Sequence, residues 1–244
     1  MIKFFRKIRQ NMIKENKVSK YLLYAIGEIV LVVIGILIAL SINNWNEGRK
    51  NDLKESLLIK NIIEDLSLDS VQINQSLNEL SDQIHVVDDL IAKALDSEKI
   101  LNYDSMGLVR YSSDFRPISQ RNHAESVSSL ENEFTREILQ NYFLKEDEVI
   151  DIFKEYEDII HNKIRPYLSD FGMHNLKSLY ESQPDEIAQF LLQPKILEEQ
   201  LGNVKFQQLL FERRLKTGSF KILLNELKMD NQELIKILSL NNNY

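Results

Sequence analysis

From Tyr21 to Ile42 the chain reads YLLYAIGEIVLVVIGILIALSI, an apolar run interrupted by one acid, Glu28. Beyond it, apolar residues recur with a helical period. Ile59, Ile63, Leu66, Ser70, Ile73, Leu77, Leu80, Ile84, Val87, Ile91 and Ala94 step by four and three, and only Ser70 among them is polar. That spacing predicts a long packed helix over 46–96. It would run on from the apolar segment or kink at Gly48. A second helical wall is predicted over 119–165, carrying Val127, Leu130, Phe134, Ile138, Val149, Ile152, Tyr156 and Ile159 and stopping at Pro166, whose ring breaks helices. A third spans 203–239, with Phe206, Leu210, Phe220, Leu224, Leu227, Leu234 and Leu238. Residues 97–118 read as a loop broken by Gly107 and Pro117. Ser182, Gln183, Pro184 and Asp185 have helix-start chemistry. Pro194 and Gly202 bracket a short helix, and 241–244 read as a frayed end.

Two uses of the first seam compete: a parallel coiled coil with a second copy, or one wall of an intramolecular bundle. Leu58, Ile62, Val86 and Leu90 lie beside the stripe and widen it beyond a two-position seam, which favours the bundle. The expected fold class is all-α: one transmembrane helix followed by a long-helix antiparallel bundle. Three helices of roughly 40–50 residues would carry it, with short accessory helices between.

The apolar run supplies roughly 22 residues, or ~33 Å of helix, enough for a hydrocarbon core of about 30 Å. Tyr21 and Tyr24 mark one edge and Trp45 the other, as interfacial aromatics do. Lys3, Arg6, Lys7, Arg9, Lys14, Lys17 and Lys20 precede it against Glu15 alone, so the positive-inside rule keeps the N-terminus in the cytoplasm. The predicted organisation is a basic cytoplasmic tail over 1–20, a transmembrane helix over 21–42 and an extracytoplasmic, periplasmic helical domain over 43–244. The competing reading is a cleaved signal peptide. It is disfavoured by the length of the run and by Ala39-Leu40-Ser41, a poor cleavage site.

Fourteen Leu, Ile and Val side chains in the run outweigh one acid costing about 3 kcal/mol. On a helical wheel Glu28 shares a stripe with Ala25, Gly35 and Ala39. Gly35 and Ala39 form a small-xxx-small pair that admits a second helix. The alternative is that Glu28, near the cytoplasmic edge, is protonated or snorkels to the headgroups without a role. Ile2, Phe5, Ile8 and Met12 fall on one face of the basic tail, suiting either a short helix on the inner leaflet or a plain anchor.

The chain of 244 residues has a net charge of −7 and no cysteine. Because the tail is basic, the rest is more acidic still. That argues against a nucleic-acid partner and rules out disulfides and thiolate chemistry. There is no glycine-rich phosphate loop, no Gly-x-Ser-x-Gly elbow and no His-Glu-x-x-His helix. Glu157 with His161, and Asp170 with His174, are i,i+4 pairs with metal-ligand spacing. Asp147, Asp151, Glu155 and Asp158 share a face that reads as a solvated acidic stripe. The expectation is a protein without enzymatic activity, cofactor or metal.

Residues 21–47, with Ala25-Ile26-Gly27-Glu28 and Ile42-Asn43-Asn44-Trp45-Asn46-Glu47, resemble the opening of a family of single-pass envelope proteins of Gram-negative bacteria, catalogued only as a domain of unknown function. Phe5-Arg6-Lys7-Ile8-Arg9 fits the same pattern, and Leu201-Gly202-Asn203-Val204-Lys205-Phe206 is similar to the family's start of its last helix. The resemblance implies inner-membrane residence and a helical outer domain; it brings no activity or ligand. The functional expectation is an interaction or scaffold protein that spans the membrane, binds protein partners or self-associates through its membrane helix, and binds no nucleic acid. The alternatives are an accessory subunit of a transport or ion-coupled complex using Glu28, or a sensor passing its signal to a separate partner.

Overall fold

The computed structural model describes residues 18–96, 98–182 and 190–241, the side chains of 18–21 and 241 excepted. The tail up to residue 17, with its amphipathic pattern, lies outside the described residues, as do positions 183–185 of the predicted helix start, residues 242–244 and the side chain of Tyr21. The chain divides into two units, Met1–Leu57 and Leu58–Tyr244. Among the described residues every regular element is helical, and the one β-feature is an isolated bridge between His174 and Leu192.

The first unit is helical throughout its described residues. It holds the start of α1 (Val18–Leu95). Nearly every side chain from Leu22 to Leu57 is exposed; Ala25, Asn46 and Glu55 are half-buried. Gly48 does not break the helix, because one glycine costs only about 1 kcal/mol against a run of good helix formers.

In the second unit α1 forms the wall that its spacing predicts, with Leu66, Ile73, Leu77, Leu80 and Val87 buried in the unit's own core. After a 3-10 turn (Met106–Arg110) the chain runs extended to α2 (Ile118–Val127). Then come α3 (Glu133–Ile159), a π-turn (Ile160–Ile164) and α4 (Arg165–Asp170). Two short helices, α5 (Leu176–Glu181) and α6 (Pro194–Leu201), lead to α7 (Val204–Asn241). The last two match the short helix expected between Pro194 and Gly202 and the final wall.

Chain directions follow from side-chain pairings. Asn231 on α7 bonds the Leu66 carbonyl and the Tyr142 hydroxyl, whereas Gln83 bonds Tyr156 and Arg213. Thus α1 and α3 run the same way and α7 runs against both. Residues 111–127 supply the missing antiparallel element, since Ser113 meets Glu79 while His123 meets Asp65. The bundle therefore has four elements, up-down-up-down, and the second is half extended chain and half helix.

Two expectations need correction. The wall predicted over 119–165 is two elements of opposite direction. Ser128 and Ser129 turn their hydroxyls back onto the carbonyls of Glu125 and Ser126, and the Asn132 side chain caps α3 by accepting from the Thr135 N–H at 2.9 Å. This break resets the helical phase, so Phe134 is 55% exposed while Leu139 is fully buried. Pro166 does not stop the helix either. It sits in the first turn of α4, just after the wide π-turn, where its missing N–H and its ring cause least conflict. The helical run ends instead near Gly172, at φ +61°. The expected loop is there as irregular chain with one 3-10 turn up to Pro117, and Leu101, Met106, Val109 and Phe115 enter the core from it.

The apolar core forms two clusters. One joins Ile62–Leu80 of α1 to α2, α3 and the C-terminal half of α7. The other joins Val86–Leu90 to the 3-10 turn, α4, α6 and the start of α7. The phase of α3 can be tested by truncation. Leu139→Ala should cost about 2–5 kcal/mol in urea unfolding and Phe134→Ala less than about 1, since only the first leaves a cavity. Equal costs would put the phase of α3 in error.

Candidate functional site

The polar groups that organise the second unit lie inside it. Asp69, Ser76 and Gln83 recur every seven residues on α1, on the same face as the fully buried Ile62 and Leu90, and none is more than 3% exposed. Asp69 and Ser76 bond the segment 111–119 directly, and Gln83 bonds Tyr156 and Arg213, which do the same. That segment alternates in the manner of a strand, with Ser113, Phe115, Pro117 and Ser119 buried and Asp114 and Arg116 exposed. Among the described residues it has no neighbouring strand, so side chains must satisfy its backbone.

They do so in order along the bundle. The Ile118 and Ser119 N–H groups donate to the two Asp69 carboxylate oxygens at 2.7 and 2.9 Å, so an acid on α1 caps the N-terminus of α2. The Ser76 hydroxyl donates to the Asp114 carbonyl at 2.7 Å. The Ser113 N–H donates to the Tyr156 hydroxyl at 2.7 Å, and that hydroxyl donates onward to Gln83 at 2.7 Å. Arg213 reaches from α7 to the Tyr111 carbonyl at 3.0 Å.

Two buried layers result. In the first, Glu146 on α3 accepts from the Ser119 hydroxyl through Oε1 at 3.1 Å, while its buried Oε2 has no partner. Burial is the main cause that pushes the Glu146 carboxyl up to about 8, with the Asp69 charge adding to it; the Ser119 hydrogen bond acts the other way. At neutral pH Glu146 is therefore mostly an uncharged acid. Tyr142 and Asn231 complete this layer, and burial raises the tyrosine too.

The second layer lies where the two apolar clusters meet. Arg213 is 0% exposed; Nη1 donates to Thr217 at 2.6 Å, Nη2 to Gln83 at 2.7 Å, and its guanidinium carbon lies 4.8 Å from the Tyr156 ring centroid. Its hydrogen-bond acceptors are neutral oxygens, and desolvation lowers its pKa. The π-turn of residues 160–164 begins four residues after Tyr156 and follows α3 into the second cluster. The hydrogen bonds of this layer run to backbone and side-chain oxygens of the chain itself. They fasten α1, α3 and α7 to the chain at Tyr111 and Ser113.

A cleft of about 360 Å³ opens over the same segment, lined by Gln72, Gln75, Glu79, Asp114, Arg116 and Arg121 among others. Its charges balance, and Arg116 already pairs with Asp114 at 3.1 Å.

The residues singled out in the apolar run stand apart from these layers. Glu28, Gly35, Ala39, Tyr24 and Trp45 are exposed on α1 and Ala25 is half-buried. A Cβ built on Gly35 would meet nothing within 4 Å, and the Arg49 guanidinium lies 5.7 Å from the Trp45 ring. The acidic stripe of α3 is engaged in surface pairs: Asp147 with Gln120, Asp151 with Lys154, Glu155 with Lys216 and Asp158 with Asn162. Glu157 and His161 lie 4.0 Å apart, and among the described residues no three His, Asp or Glu side chains cluster as a metal site.

Glu146 and Arg213 were missed by sequence reasoning. Their signal was present as polar residues at core-phase positions: Asp69, Ser76 and Gln83 at a heptad interval, and Arg213 with Thr217 inside the pattern 206–210–213–217–220–224.

The Glu146 proton makes stability depend on pH. Below the ordinary value of 4.5 folded and unfolded chains both hold it; between there and about 8 only the folded chain does. Stability should then fall as the pH rises through that window, by ~1.4 kcal/mol per pH unit at most. Glu146→Gln should remove this slope and be the more stable protein at pH 8 in urea unfolding. A variant with the wild-type slope would exclude Glu146 as the titrating group.

Residues 28–129 match a sequence family described as a family of unknown function, DUF6090. The matched stretch includes Glu28, Gly35, Ala39, Trp45, Asp69, Ser76, Gln83 and Ser119. It does not reach Glu146, Tyr156 and Arg213, nor the segment 201–206 that carries part of the resemblance described above. No curated protein matches the chain. No solved structure matches it either.

Proposed function

We propose that this chain is a single-pass inner-membrane protein whose periplasmic helical bundle serves as a non-enzymatic interaction or scaffold module. Residues 1–20 stay in the cytoplasm, 21–42 cross the bilayer and 43–244 lie outside. One observation carries the reading: α1 holds a stretch long and apolar enough to cross a membrane, and none of that stretch is buried. Leu31 is 72% and Ile29 63% exposed, and their neighbours along the run are similarly bare. Leaving so many aliphatic side chains in water would cost about 1.5 kcal/mol or more each, so they need an apolar environment. The cations that precede the run support the orientation. For the bundle, a filled interior whose polar groups are spent on holding its own backbone supports binding at the surface over chemistry within.

Orientation is tested with the full chain, which lacks cysteine. A single Glu148→Cys, on an exposed position of α3, should react with a membrane-impermeant maleimide in intact cells. Labelling only after lysis, or a mature chain starting after Ser41, would refute the layout.

Self-association through the membrane helix is supported by the open flank at Gly35 and the small side chain of Ala39 one turn on. Leucine at these two positions would hold a second helix at a distance. Gly35→Leu with Ala39→Leu should therefore lower helix–helix association about tenfold or more in a membrane-helix dimerisation assay. An unchanged signal would remove this stripe as the contact.

A further inference from the structure

Helix α7 is apolar on two opposite faces, and the bundle covers only one of them. Phe206, Leu210, Phe220, Leu224, Leu227, Leu234 and Leu238 are buried, while Phe211, Leu215, Ile222 and Met229 are 54, 49, 61 and 63% exposed. The exposed set follows its own steps of four and three, 211–215–218–222–225–229, with Gly218 and Asn225 at the remaining positions. That is a coiled-coil seam on the outer surface.

The charges beside the seam are sorted by sign. One flank carries Arg214, Lys221 and Lys228; the other carries Glu212, Ser219, Glu226 and Glu233. Arg214 is engaged with Asp88 at 2.6 Å. Among the described residues Lys221, Lys228, Glu226 and Glu233 make no ion pair within the chain. In a parallel two-stranded pairing, each basic-flank position faces the acidic flank of its partner about five residues farther on. Lys221 would meet Glu226 of the second copy and Lys228 would meet Glu233 of the second copy, twice each by symmetry. An antiparallel pairing would instead bring basic flank against basic flank and acidic against acidic. Asn225 would face its own equivalent across the two-fold axis, where a paired amide in the seam penalises other registers.

We infer that the outer face of α7, from Phe211 to Met229, is a homodimer interface that pairs two copies of this chain in parallel and in register. It goes beyond the membrane-helix contact proposed above, because it uses only residues of the second unit. It holds whether or not residues 21–42 cross a membrane.

The test uses full-length chains in native membranes, with single cysteines introduced and mild copper–phenanthroline oxidation. Ile222→Cys and Leu215→Cys should each give a disulfide-linked dimer, and Glu148→Cys on α3 should not. In the Ile222→Cys chain, Lys221→Glu with Lys228→Glu should cut the dimer about tenfold, and Glu226→Lys with Glu233→Lys should do the same. Co-expressing the two charge variants should restore a mixed dimer. These positions are at the surface, so unchanged thermal unfolding will show that the variants fold. No dimer at Ile222→Cys, or equal yields whatever the flank charges, overturns the inference. The second outcome also separates it from the membrane-helix contact, which would bring copies together without regard to these charges.

Discussion

The second unit depends on how one stretch of extended chain is satisfied inside it. Residues 111–117 run extended into α2, with Phe115 and the Ser119 that follows fully inside and, among the described residues, no strand to pair with. An unpaired buried N–H or carbonyl costs about as much as a lost hydrogen bond, ~1–3 kcal/mol each. Asp69, Ser76, Tyr156 and Arg213 each remove one or two of these costs. The seven-residue interval on α1 sets where the segment must lie. Two turns of helix advance about 10.5 Å, and three residues of extended chain cover about the same distance. Asp69 and Ser76, one such interval apart, meet the chain at Ile118–Ser119 and at Asp114.

This arrangement also accounts for the divided core. Arg213, Thr217 and Gln83 occupy the level at which apolar packing would otherwise be continuous, with Tyr156 of the first cluster bonded to them. A buried guanidinium whose two Nη groups meet only neutral oxygens, and whose Nε meets no partner, gives less net stability than aliphatic side chains of equal volume. What it supplies is a unique register, because sliding α7 by one turn would strand the guanidinium donors in the core. The Asp69–Glu146 layer follows the same logic. Burial, with Asp69 close by, keeps the proton on Glu146, while the Asp69 side chain accepts the first N–H groups of α2.

The contrast between interior and exterior is equally informative. Inside, Asp69, Ser76, Tyr156 and Arg213 hold backbone; outside, ordered rows of apolar residues lie on the N-terminal run of α1 and on one line of α7. Exposed aliphatic residues in such rows mark surfaces meant for lipid or protein. The proposed membrane span and the proposed α7 interface both rest on them.

Much was legible from periodicity alone. The all-helical character, the long first wall, the short helix ending at Gly202 and the final helix all follow from local spacing and capping, which act over three or four residues. The apolar run was legible for the same reason, since length and composition are local quantities. The direction of α3 was not. It turns on residues 128–132, where serine hydroxyls and an asparagine cap reverse the chain, and the change of phase there moves Phe134 out and Leu139 in. Nor could the sequence show that 111–119 lies in the core, or that Glu146 and Asp69 share a layer. Those facts depend on which distant segments meet, and burial and charge coupling have no value until they do.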